Sequence, residues 1–160
     1  MEIEAATMAD ADHLASLWVD LARDQRAHGS HLQAEPNRES VREGLSRSIV
    51  TECVLIARAD EGDIVGFVEF APETVSYRRD TERGVIENIY VRSSHRGEGV
   101  GSDLLAAAED RLREGGAERI VLDVLAPNEA ARRFYARHGY EPHRVEMEKG
   151  PESDTHSRED

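Results

Sequence analysis

The stretch Val85-Ile86-Glu87-Asn88-Ile89-Tyr90-Val91-Arg92-Ser93-Ser94-His95-Arg96-Gly97-Glu98-Gly99-Val100-Gly101-Ser102 passes from an apolar run into a glycine-rich turn and then into a helical pattern. The run from Val85 to Val91 predicts a strand. Val100, Leu104, Leu105, Ala108 and Leu112 recur on one face and predict a helix directly after the turn. The close-set glycines Gly97, Gly99 and Gly101 let the chain turn tightly and bring backbone N–H groups against a ligand, because no Cβ intervenes. The helix start adds open donors and a positive dipole, so an anion, a pyrophosphate above all, is expected there. Arg92, His95 and Arg96 form a basic patch against an overall charge of -13.

A second apolar run, Arg119 to Val124, follows that helix and completes a strand, helix, strand unit, the one clear parallel crossover in the chain. Ligands of open α/β sheets bind outside the carboxyl ends of such strands. Before the crossover, Glu2 to Ala6 reads as a first strand, and Thr7 to Asp10 as a capping-box-like helix start. Leu14, Leu17, Trp18 and Leu21 give a helix ending near Gly29, and Val41, Leu45 and Ile49 give a second after Pro36 and Asn37. Cys53 to Ala57 and Ile64 to Phe70 are strands, joined through Asp60-Glu61-Gly62 as a hairpin. After the crossover, a helix from Asn128 to His138 stops at Gly139, and Val145 and Met147 alternate as in a final edge strand. The predicted order is β-α-α-β-β-β-α-β-α-β, an α/β (α+β) fold with a mixed central sheet flanked by helices. Residues 1–149 are expected to form one domain and 150–160 a disordered acidic tail.

A chain of 160 residues has room for one core and no second catalytic domain. Its 20 Lys and Arg against 33 Asp and Glu repel a phosphate backbone, which argues against nucleic acid as a partner. Lys149 is the only lysine. An acid-rich, lysine-poor surface suits a high-salt cytoplasm, and an arginine-favouring genome produces the same skew without physical purpose. The lone Cys53 sits in an apolar run, admits no internal disulfide and points to a reducing compartment. With no apolar stretch near the ~20 residues of a membrane span and no leader pattern, a soluble cytoplasmic protein without a membrane partner is expected.

Two phosphate-binding patterns compete for the glycine turn. A P-loop needs a lysine after its last glycine, where this chain has Ser102. A dinucleotide fingerprint needs G-x-G-x-x-G in the first unit of an alternating series, whereas the spacing here is G-x-G-x-G with one crossover, although Asp123 stands where a ribose acid would.

The combination resembles the GNAT superfamily of acyl-CoA-dependent N-acyltransferases. Arg96-x-x-Gly99-x-Gly101 matches its pyrophosphate motif R/Q-x-x-G-x-G/A, preceded by Ile89-Tyr90-Val91 as the strand. A second motif matches from Asn128, Glu129, Ala130, Ala131, Arg132, Arg133, Phe134 and Tyr135 to Gly139 and Tyr140. The element order agrees over residues 1–148. The resemblance implies an acetyl-CoA-dependent N-acetyltransferase with no metal. It implies that backbone groups of Ile89 and Val91, with Tyr90 between them, meet the pantetheine arm like an added strand. Arg96, Gly97, Glu98, Gly99, Val100, Gly101 and Ser102 would hold the pyrophosphate, chiefly through the amides from Gly97 to Ser102. Asn128 would cap its helix and reach the coenzyme, with Arg132 beside it in the motif. Tyr135 would protonate the departing thiolate.

An ammonium acceptor of pKa roughly 10 must lose a proton before it attacks, so a base is needed near the thioester. Glu87 is the candidate: alternation through Val85, Glu87, Ile89 and Val91 predicts a carboxylate among apolar neighbours, where desolvation raises its pKa. The resemblance implies a primary-amine acceptor, on a protein lysine, a peptide N-terminus or a small cationic molecule, bordered by the loop between the first two helices and by Thr74 to Arg83. His28 and His31 are read as solvated loop histidines, not a metal pair. Two other readings stay open: a non-catalytic coenzyme A sensor or interaction module, and a nucleotide-binding enzyme using the Gly97 to Gly101 loop. A homodimer is compatible with this class, and no residue specifies one.

Overall fold

The computed structural model describes residues 1–75 and 77–151, so the predicted tail lies almost wholly outside the described residues. These residues divide into two compact units, the first Met1–Glu129 and the second beginning at Ala130.

The first unit is built on a five-stranded sheet in the order β1-β2-β3-β4-β5: β1 (Glu2–Ala5), β2 (Val54–Arg58), β3 (Ile64–Pro72), β4 (Arg83–Val91) and β5 (Arg119–Val121). The first four are antiparallel neighbours, and β4 runs parallel to β5. Helices α1 (Ala11–Arg26) and α2 (Arg38–Val50) lie between β1 and β2, and α3 (Val100–Glu114) makes the crossover from β4 to β5. The Thr7 N–H donates to the Asp10 carboxylate at 2.9 Å, as the capping pattern requires.

The main core joins α1 and α2 to the sheet, with Leu14, Leu17, Trp18, Leu45 and Ile49 buried with Val54, Ile56 and Phe67. Tyr90 packs against this cluster. Strand alternation therefore puts Ile56, Phe67 and Tyr90, which are register partners, on one face. Gly66 and Gly84 lie on the other face, where the first lies close to Leu104 and the second to Leu112 of α3.

The predicted crossover strand is shorter than the apolar run suggested: β5 stops at Val121, not Val124. The final edge strand does not form. Residues 142–150 have no regular structure, and Val145 and Met147 are 75% and 85% exposed. Two apolar side chains among five charged or titratable neighbours offer too little surface to bury for alternation alone to set a strand. In the second unit, α4 (Glu129–Arg137) continues from the last residue of the first. It ends where Gly139 N–H bonds the Ala136 carbonyl and Tyr140 N–H bonds the Tyr135 carbonyl, both at 3.0 Å.

Candidate active site

The site follows from two irregularities of β4. The first is a bulge. Glu69 of β3 faces Asn88, and the next residue, Phe70, faces Ile86, which leaves Glu87 without a partner. The extra residue breaks the expected alternation, so Glu87 does not share a face with Ile89 and Val91. Its side chain is exposed and, among the described residues, makes no hydrogen bond or ion pair. Desolvation at the sheet surface and, second, the negative charge of Glu69 raise its carboxyl above the ordinary range. The direction is the one expected, and the second cause was not foreseen.

The second irregularity is a splay. β4 pairs with β5 only from Arg83 to Val85, whereas it pairs with β3 as far as Val91. The Arg92 N–H donates to the Val65 carbonyl at 2.8 Å, toward β3. Because peptide groups alternate sides along a strand, those of Ile89 and Val91 face the edge away from β3. Tyr90 differs from its two neighbours: its peptide group turns to β3 and its ring to the α1 side. That phenol is raised by desolvation and by the Asp24 charge, with Arg96 opposing.

Beyond β4 the chain makes a 3-10 turn, Ser93–His95, and then the glycine loop. Gly97 and Gly99 have φ of +80° and +85°, and Gly99 is the N-cap of α3. The first bond of α3 runs from Asp103 N–H to Gly99 O at 3.0 Å. The amides of Val100 and Gly101 stand ahead of it, at the positive end of the helix. This donor set, with no Cβ at positions 97, 99 and 101, fits a diphosphate. Glu98 is exposed and can contribute only its backbone to an anion site. Ser102 lies within the first turn of α3.

Arg96 directs its guanidinium elsewhere. It donates to the Val91 carbonyl at 2.9 Å, pairs with Asp24 of α1 at 3.1 Å, and lies 5.4 Å from the Tyr90 ring centre. Asn128 immediately precedes α4, and its N–H bonds the Leu125 carbonyl at 2.9 Å. In the second unit, Arg132 is exposed and Tyr135 packs edge-on against Phe134 and Tyr140, at centroid distances of 5.3 and 5.9 Å. Burial pushes the Tyr135 phenol up to about 12.

One residue of this region was missed in the sequence. Glu69 is the sole charged or polar side chain in the core among the described residues, at 9% exposure. Ser48 Oγ of α2 donates to its Oε2 at 2.7 Å, and Asn88 Nδ2 donates to its Oε1 at 2.8 Å. The signal was an acid inside the apolar run Ile64 to Phe70. Among the described residues no group of three or more His, Cys, Asp or Glu is placed to hold a metal, and no helix is long and apolar enough to cross a membrane.

The chain belongs to the Acetyltransferase (GNAT) family, whose pattern matches residues 14–140. That is a family of acetyl-CoA-dependent N-acetyltransferases, and the sheet with its flanking helices is its fold. The aminoalkylphosphonate N-acetyltransferase of Salmonella typhimurium is 29% identical over 140 residues, 87% of this chain and 84% of that protein. The streptothricin acetyltransferase of Streptomyces lavendulae is 38% identical over 85 residues, 53% of this chain, and the match spans only 42% of that longer protein. Among solved structures, AAC(6')-Iy in complex with a CoA-linked bisubstrate analogue superposes with a TM-score of 0.67 at 19% identity, covering 94% of this chain and 97% of that one.

Proposed function

We propose that residues 1–149 act as one acetyltransferase domain that moves the acetyl group of acetyl-CoA to the primary amine of a small cationic molecule, by direct attack in a ternary complex. The observation that carries this reading is the bulge, which leaves the Glu87 carboxylate unengaged on the same strand as the outward-facing peptide groups of Ile89 and Val91, of which the Val91 carbonyl is held by Arg96. The thioester supplies an activated acyl carbon. The Ile89 and Val91 peptides align its amide arm as an extra strand would, and the amides from Gly97 to Ser102 hold its diphosphate. Glu87 takes the proton of the ammonium, the freed amine forms the new C–N bond, and the C–S bond breaks to release the thiolate. A phenol near 12 holds its proton more tightly than a thiol of roughly 8.5. Tyr135 therefore acts as a hydrogen-bond donor to the developing thiolate, and the proton that ends on sulfur is drawn from solvent.

Three things support a small cationic acceptor. The net charge of -13 draws cations. Two of the sequence relatives bear the names of small amines, an aminoalkylphosphonate and streptothricin, which supports the small size of the acceptor. The structural neighbour was captured with an acetylneamine analogue.

The test is an acetyl-CoA consumption screen across amino sugars, aminoalkylphosphonates, polyamines and N-terminal peptides, at low and high salt. Acetylation of a small amine is expected, with Glu87→Gln lowering turnover about 100- to 10,000-fold and leaving coenzyme affinity intact. Tight CoA binding with no amine acetylated would overturn catalysis in favour of a coenzyme sensor. Acetylation confined to peptides would overturn the acceptor class.

A further inference from the structure

Glu69 is a buried carboxylate with no cation beside it among the described residues; its partners are the neutral groups of Ser48 and Asn88. Burying a charge against neutral donors alone costs more than burying a glutamine of the same shape, so packing gives no reason for an acid here. Its location does. Glu69 is the register partner of Asn88, and the pairing slips immediately beyond it. The Asn88 side chain is thus tied to β3 on one side of the bulge, and Ser48 ties the same carboxylate to α2.

We propose that Glu69 is the positioning residue for Glu87: clamped by Ser48 and Asn88, it pins the bulge that expels Glu87 from the ladder and keeps a fixed negative charge beside it. This rests on the reading of Glu87 as the base. The neighbouring charges divide cleanly between the two sites. Glu69 from β3 acts on Glu87, whereas Asp20 and Asp24 from α1 and Arg96 from the loop act on Tyr90. A like charge holds a carboxylate basic enough to deprotonate an ammonium, while the hydrogen bonds fix where that carboxylate sits.

The experiment follows the side-chain carboxyl signals by carbon NMR as pH is varied, in the wild type and in Glu69→Gln and Glu87→Gln. Glutamine retains a donor and an acceptor for Ser48 and Asn88 but carries no charge. In Glu69→Gln the Glu87 midpoint should fall, while staying above the ordinary carboxylate range because desolvation persists, and the acid limb of kcat/KM should move down with it. If Glu69→Gln does not fold, Asn88→Ala carries the same readout: with one of its two clamping donors gone, the Glu69 charge loses its fixed place and the Glu87 midpoint should move from its wild-type value. A Glu87 midpoint unmoved by either substitution overturns the proposal alone. Full activity in Glu87→Gln overturns the base itself, and coupling would then be without catalytic consequence.

Discussion

Arg96 and Asp24, 72 positions apart, form an ion pair at 3.1 Å that ties the glycine loop to α1. Both side chains are about half exposed, at 51% and 53%, so the pair adds no more than ~1 kcal/mol to stability. Its effect is electrostatic: Asp24 neutralises the cation that stands at the entrance to the loop.

Asp24→Asn should therefore leave the melting temperature nearly unchanged and tighten CoA binding about two- to five-fold at low ionic strength, the gain vanishing in high salt. Calorimetric titration with CoA at two salt concentrations checks it. Weaker binding in the variant would show that Asp24 holds Arg96 in a conformation the coenzyme needs.

Gly99 adopts φ of +85°, and a Cβ built there would touch nothing within 4 Å. Any penalty for a side chain is thus conformational, about 1–2 kcal/mol for an L-residue in the left-handed region. Gly99→Ala should lower stability by that amount if the turn persists, or lose CoA affinity if the turn relaxes. Denaturant unfolding together with CoA titration separates the two, and a variant unchanged in both would remove the loop from coenzyme binding.

Gly66 presents a different constraint. A Cβ there would stand 2.8 Å from the Tyr90 carbonyl and 3.2 Å from Leu104, and the carbonyl belongs to the ladder and cannot swing away. Gly66→Ala should cost about 1–3 kcal/mol in urea unfolding. At Gly84 the close atoms are those of the Leu112 side chain, which can rotate, so the matching alanine should be tolerated better.

Tyr135, with its phenol near 12, remains protonated through any ordinary assay range. Tyr135→Phe should slow single-turnover acyl transfer about 100-fold without moving the acid limb of the rate profile. Since folding raises this pKa, the associated stabilisation is present below the unfolded value near 10 and is lost only as pH climbs through about 12. The variant should thus melt with the same pH dependence as the wild type below about pH 9. An undiminished transfer rate would make the phenol structural.

The strands, the crossover and the glycine turn were legible because each carries a local signature: apolar runs, a 3.6-residue period, and glycines where a side chain is excluded. Glu87 was legible as a candidate, but its surroundings were not. A bulge shifts the phase of alternation without altering composition, so Val85, Glu87, Ile89 and Val91 read as one face when the fold divides them. Glu69 hid inside a strand otherwise rich in apolar residues, and its partners come from Ser48 and Asn88, distant in sequence. The missing last strand shows the reverse error: Val145 and Met147 have the right spacing and almost nothing to pack against.

The parting of β4 from β5 after Val85 leaves a backbone margin that any extended chain could zip onto, including another copy of this protein. A coenzyme lying along that margin would cap it. Turnover and resistance to clumping would then draw on the same peptide groups, and cells short of acetyl-CoA would be where this protein is most prone to aggregate.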